Sequence, residues 1–505
     1  MKIGFLATLC LMALGAYTSE AKVTLPSIIA DDMVLQRNTE VRFWGESTAE
    51  GKIVTIAPSW SKAKYKAAVS GGKWSVKLPT TDAGGPYTVT ISDGDKLTLS
   101  NILLGDVWIC MGQSNMQMPM SGFGFKEQRI AGNTQKNQPV EGSAKVITQA
   151  KESTPIRMYT MEFNPQNRPQ ESVEGRWETN TPEAVHAFSA AGYFFGRDLQ
   201  SALDIPIGLL SVNRGSSAIE TWMSREWLES TGYEYNFSIL ESEKIPNNVV
   251  MQPCYLYNGM LAPIEGLSIK GGIWYQGESN RVRPEMYLKQ FPAFVAGLRD
   301  HFDGGDFPFY FAQIAPWRGE MAESDLSGAY MRETMEKLID LTPRTAMVAL
   351  TDIGEDQIIH PRYKREVGER FAIVALSEEY GVEGIHYRTP EFASLKPMVD
   401  PVGKKIQGVG VAFDHCPTGI ISKDRSSEST QFEIAGDDRV FYPAKAILIK
   451  NAYPYVIWVG CEEVEEPVAV RYAYKNYAEG DLYNAFGLAL SSFRSDDWDL
   501  SAPAK

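Results

Sequence analysis

Residues 22–103 alternate short apolar runs with glycine- and aspartate-rich turns. Val41-Arg42-Phe43-Trp44, Ile53-Val54-Thr55-Ile56, Trp74-Ser75-Val76-Lys77-Leu78 and Tyr87-Thr88-Val89-Thr90-Ile91 read as strands. Short runs with frequent turn signals predict a small antiparallel sandwich. From residue 104 the pattern changes. Apolar runs at 107–110, 209–212, 269–275, 309–314 and 346–350 are separated by segments of helical spacing. Val185, Phe188, Phe195 and Leu199 predict one helix face. Tyr287, Phe291, Phe294, Val295, Leu298 and Phe302 predict a second, and Val367, Phe371 and Val374 a third. Strands alternating with helices predict an α/β unit over 104–381 with a mostly parallel sheet. From 382 to 505 the runs at 409–413, 431–434, 446–449, 455–459 and 469–472 return to β character. They form either a second sandwich or the completion of the first.

The N-terminus adds a targeting expectation. Lys2, the apolar run of residues 3–16 and Ser19-Glu20-Ala21 predict a cleavable signal peptide over 1–21, hence a secreted or periplasmic protein without membrane insertion. The full chain has 505 residues and a formal net charge of −14. That balance argues against nucleic acid as a partner, since both carry negative charge. Cys110, Cys254, Cys416 and Cys461 remain after cleavage. Their spacing matches no zinc motif, and buried free thiols are expected. No metal or organic cofactor is called for.

In a parallel sheet, ligands bind beyond the carboxyl ends of the strands. Those ends carry Gly112-Gln113-Ser114-Asn115, then Asn213-Arg214-Gly215-Ser216-Ser217, then Gln276-Gly277-Glu278-Ser279-Asn280, then Ala315-Pro316-Trp317. Last comes the loop from Thr351 to His360. Acyl transfer needs a nucleophile, a base and donors for the developing oxyanion. Ser114 and Ser279 both qualify as nucleophile on position alone. His360 is the best-placed base, because His186 and His301 fall in or at the end of helical patterns, and His386 and His415 in the C-terminal β part. Ser114 N–H, Gly215 N–H and the amide of Gln276 or Asn280 suit the oxyanion. Glu278 also reads as a helix cap, and Arg214 as a solvated charge.

With these motifs the chain resembles the sialate O-acetylesterase family, within the SGNH hydrolases. The resemblance runs through residues 27–41, 105–116, 206–222, 255–280 and 307–317, the His360-Pro361 loop with 367–370, and 467–474. Its most specific part is Gly-Gln-Ser-Asn-Met at 112–116 followed by Trp-Tyr-Gln-Gly-Glu-Ser-Asn at 274–280. The resemblance implies an SGNH-type three-layer domain flanked by β regions. It implies Ser114 as nucleophile, His360 as base and Gly215 as second oxyanion donor, with Gln276 or Asn280 as the third. An O-acetylated sialic acid or sialoglycan is the implied substrate. Arg214, Glu278 and Trp317 are candidates for binding it.

One departure stands out. The family's histidine-orienting aspartate lies three or two residues before the histidine, and here those positions hold Gln357 and Ile358. Asp356 or Asp352 then orients the imidazole, or a backbone carbonyl near Gln357 does so and leaves a Ser–His dyad. Two other readings remain: an acetylesterase for xylan or another polysaccharide, and a non-catalytic glycan-binding protein.

Overall fold

The computed structural model describes residues 22–123, 128–130, 133–135, 139–401, 407–417, 419–449 and 455–500. The expected signal peptide lies outside them. The central sheet is built on β1 (Lys96–Gly112), β2 (Ile156–Met161), β3 (Gly175–Thr179), β4 (Ile207–Asn213), β5 (Gly271–Tyr275), β6 (Phe309–Ala312) and β7 (Thr345–Val348), in the order β3-β2-β4-β1-β5-β6-β7. Every pairing along it is parallel except β2 with β3. The chain winds outward one way through β4 and the other way through β5, with β1 between them. Such a reversal opens a crevice at the carboxyl ends of the central strands.

Burial on both faces explains the continuous apolar run in β1. Val107, Ile109 and Met111 enter one core, and Trp108 and Cys110 enter the other. The first core holds Phe291, Phe294 and Leu298 of helix α3 (Pro284–His301) and Met331, Met335 and Leu338 of α4 (Ser327–Leu341). The second holds Phe195 and Leu199 of α2 (Ala190–Leu203) and Val367, Phe371 and Val374 of α5 (Lys364–Glu378). Helices on both faces of the sheet make the three layers.

The helix face expected from Val185 to Leu199 is corrected to two helices. Pro182–Ala187 stops before Phe188, and α2 starts after Ser189. Ser189 accepts from Gly192 N at 3.1 Å, an N-cap that starts a new helix where spacing alone suggested one. Strands β2 and β3 were not expected. Arg157, buried within β2, interrupts the apolar run that would have marked it.

The N-terminal strands fall where the alternation put them, in Glu40–Ser47, Ile53–Pro58, Lys73–Pro79 and Gly84–Ser92. Yet β1 runs unbroken across residues 103 and 104, and Val54, Ile56, Leu78 and Val89 share the core of Ile109 and Phe294. The C-terminal region forms its own seven-stranded antiparallel sheet with its own core and does not extend the first. It leans on the carboxyl edge of the central sheet: Thr351 Oγ1 donates to Leu490 O at 2.7 Å, and Gln313 Nε2 to Ser491 Oγ at 2.9 Å. Cys110, Cys254 and Cys416 are buried free thiols, and Cys461 is a half-buried one.

Candidate active site

Strand β1 ends at Gly112, where φ is +140°. A β-carbon there would lie 2.2 Å from Tyr275 O, so the turn requires glycine. Gln113 N then donates to Tyr275 O at 3.0 Å, and Ser114 opens the one-turn helix α1 (Ser114–Gln117). Ser189 Oγ donates to Met116 O at 2.6 Å and pins this turn to α2. Ser114 is 9% exposed. Gly215, in the turn after β4, comes beside it: a β-carbon on Gly215 would lie 3.5 Å from that of Ser114. Gly215 N–H donates to Gln117 Oε1 at 2.7 Å, so a substrate oxyanion must displace that side chain to use it.

His360 sits in the loop between β7 and α5, 6% exposed, with the Phe123 ring 4.9 Å away. Asn115 Nδ2 donates to Ile359 O at 3.0 Å, which ties the residue after Ser114 to the residue before His360. Burial, and secondarily the Lys364 cation, pushes the imidazole down to about 3. It is therefore neutral at physiological pH, as a base must be.

None of the three residues expected to orient that imidazole reaches it. Asp352 is held by Arg370 at 2.7 Å, and Asp356 by Arg318 at 2.8 Å. Gln357 Nε2 donates to Asp356 Oδ2 and to Gly319 O. Each carboxylate has an arginine partner, which outcompetes a neutral ring. His360 Nδ1 is buried without a hydrogen-bond partner among the described residues, a carbonyl near Gln357 included.

The turn after β5 also departs from expectation. Gln276 Nε2 donates to Ser217 O at 3.0 Å and to Asn280 Oδ1 at 2.7 Å. Asn280 Nδ2 donates to Glu220 Oε2 at 2.9 Å. Both side chains are fully buried; both hydrogens of the Gln276 amide serve this internal network rather than an oxyanion, and Asn280 Nδ2 gives one of its two to Glu220. Ser279 contributes its backbone, whose N–H lies 3.3 Å from Gln113 Oε1. Glu278 is neither a surface residue nor a simple cap: its Oε1 accepts from Asn115 Nδ2 at 2.6 Å, and burial raises its pKa.

Arg214 is half-buried, with its guanidinium 3.8 Å from the Phe163 ring centroid and no ion pair among the described residues. Burial lowers its pKa. Trp317 follows β6, takes the Arg281 guanidinium at 5.6 Å over its ring, and has a buried Nε1 without a partner among the described residues. Of the other histidines, His301 is buried against Leu261 O, and His415 lies 3.1 Å from Arg388 in the C-terminal region.

Sequence reasoning missed Asn115, Gln117 and Lys364. Lys364 Nζ donates to Asn115 Oδ1 at 2.6 Å and is completely buried. Its one sequence signal is position, four residues after His360.

Residues 104–377, just over half of the chain, match the family described as "Carbohydrate esterase, sialic acid-specific acetylesterase". The chain belongs to this family. It is an esterase. Sialate O-acetylesterase of Homo sapiens is 28% identical over 402 residues, covering 72% of each chain. The protein of that name in Rattus norvegicus is 29% identical over 423 residues, covering 72% of this chain and 75% of its own. Among solved structures, a carbohydrate acetylesterase from Xanthomonas citri superposes with a TM-score of 0.80 at 29% identity, over 94% of this chain and 100% of that one.

Proposed function

We propose that this esterase is exported and removes O-acetyl groups from sialic acids through a Ser114–His360 dyad. The observation that carries this is the Asn115–Ile359 hydrogen bond, which joins the serine turn to the loop of a buried, neutral histidine. Ser114 Oγ attacks the acetyl carbonyl carbon while its proton passes to His360. With Nδ1 buried, Nε2 is the nitrogen assigned to this transfer. The negative oxygen is met by the N–H groups of Ser114 and Gly215, Gln117 having swung aside. The tetrahedral adduct collapses, the bond from carbon to sugar oxygen breaks, and His360 returns the proton to that oxygen. Water then adds to the acetyl-serine, His360 takes one of its protons, and acetate leaves as Ser114 regains its hydrogen. Without a carboxylate at Nδ1, packing against Phe123 orients the ring.

Arg214 supports an anionic substrate. An unpaired guanidinium stacked on Phe163, one residue from Gly215, suits the sialate carboxylate, which forms paired hydrogen bonds with arginine. The family's described specificity agrees with it. Among the described residues no helix is long and apolar enough to cross a membrane. The test is acetate release from 9-O-acetylated sialic acid and from acetylated xylan, side by side. Faster sialate turnover is expected. Turnover of xylan alone would overturn the substrate, and binding without turnover of either would overturn the esterase reading of this site.

A further inference from the structure

Outside the two reacting groups, the most unusual feature of the site is a buried acid and a buried base joined through one amide. Glu278, from the turn after β5, accepts from Asn115 Nδ2 at 2.6 Å. Lys364, at the start of α5, donates to Asn115 Oδ1 at 2.6 Å. Asn115 Nδ2 also holds Ile359 O at 3.0 Å. We propose that the chain Glu278–Asn115–Lys364 is a positioning device for the catalytic pair, clamping the nucleophile turn to the histidine loop and placing a cation beside the base. The inference rests on the Ser114–His360 reading above.

The polarity of the chain admits one arrangement. Both hydrogens of the Asn115 amide face acceptors, and its oxygen faces an ammonium that can only donate. Rotating the amide by half a turn would set oxygen against oxygen twice and N–H against ammonium once. Asn115 is thereby fixed, and with it the turn that begins at Ser114. Stability alone gives a poor account of these residues. Burying a charged acid and base is often no more stabilising than apolar side chains of similar volume, and Glu278 Oε2 has no hydrogen-bond partner among the described residues.

The charges around Lys364 come from every side of the site. Glu278 and Glu355 favour its ammonium, the Tyr275 ring lies 5.4 Å from it, and His360 lies four residues before it, in the loop that leads into α5. Burial brings its own pKa down to about 7, so it carries charge on the acid side of neutrality. There it repels a second cation and adds to burial, the larger cause, in keeping His360 unprotonated.

The test uses the full-length enzyme and p-nitrophenyl acetate, a small neutral ester that needs no sialate site. kcat and KM are followed against pH for wild type, Lys364→Met, Glu278→Gln, Glu278→Ala and Ser114→Ala. Removing the like charge should raise the acid limb of Lys364→Met by about half a unit or more. Loosening the clamp should lower its kcat about tenfold or more, with KM within about twofold. Glu278→Gln keeps an oxygen for Asn115 and should lose less kcat than Glu278→Ala, which should fall about tenfold. A folded Lys364→Met with unchanged kcat and acid limb would overturn the proposal. If that variant fails to fold, equal activity of the two Glu278 variants would overturn it. Full activity in Ser114→Ala would instead remove the nucleophile assignment on which the inference stands.

Discussion

Asn115 donates a 3.0 Å hydrogen bond to the carbonyl of Ile359, so the residues flanking Ser114 and His360 are in direct contact although 244 positions separate them. That contact joins the turn after β1 to the loop after β7, although β5 and β6 lie between those strands in the sheet. It also explains how His360, whose Nδ1 meets no carboxylate among the described residues, keeps its place. The backbone before it is tethered, its ring packs on Phe123, and α5 begins four residues later.

The pH behaviour should follow His360. Its folded pKa, about 3, is depressed below the ordinary imidazole value, so the imidazole stays neutral through the mildly acidic range. kcat/KM should hold its plateau well below pH 6.5, and an acid limb centred near 6.5 would contradict the buried environment. The same shift predicts acid lability. Between the unfolded value of about 6.5 and the folded value of about 3, the unfolded chain binds more protons. The stability His360 contributes is thus complete above the unfolded value and is lost as pH falls toward the folded one. Thermal scans should show the melting temperature dropping across this window, and dropping less in His360→Asn.

Arg214 is predicted to select charge. Arg214→Ala should raise KM for 9-O-acetylated sialic acid about tenfold or more, while leaving a neutral acetyl ester within about twofold. Equal loss on both substrates would return Arg214 to a structural role over Phe163.

Gly112 carries a stability prediction. Alanine there is strained at φ +140° and meets Tyr275 O at 2.2 Å. Urea titration should show Gly112→Ala less stable by about 3 kcal/mol or more. A loss below about 1 kcal/mol would mean that β1 and β5 part easily at the nucleophile turn.

Much of this architecture was legible because its signals are local. Val107 to Met111 is apolar throughout since both faces of β1 are buried, and the heptad-like face of Tyr287 to Leu298 is α3. Family motifs pointed to Ser114, Gly215 and His360, while chain periodicity left Ser114 and Ser279 level. What failed depends on partners distant in sequence. Asp352 and Asp356 look available to His360 until Arg370 and Arg318 are seen holding them. Gln276 looks like an oxyanion donor until its amide is traced to Ser217 and Asn280. Lys364 reads as an ordinary helix-surface lysine, and nothing local shows that it is buried against Asn115. The break between the two helices at Phe188 was likewise hidden, because apolar spacing continues across the Ser189 cap.

The central claim is that Ser114 is the nucleophile and Ser279 a turn residue. Acetate release by Ser114→Ala and Ser279→Ala, measured on 9-O-acetylated sialic acid beside wild type, tests it most directly. Ser114→Ala should lose about a thousandfold or more in kcat, and Ser279→Ala should stay within about threefold. Activity that survives in Ser114→Ala and vanishes in Ser279→Ala would contradict the account.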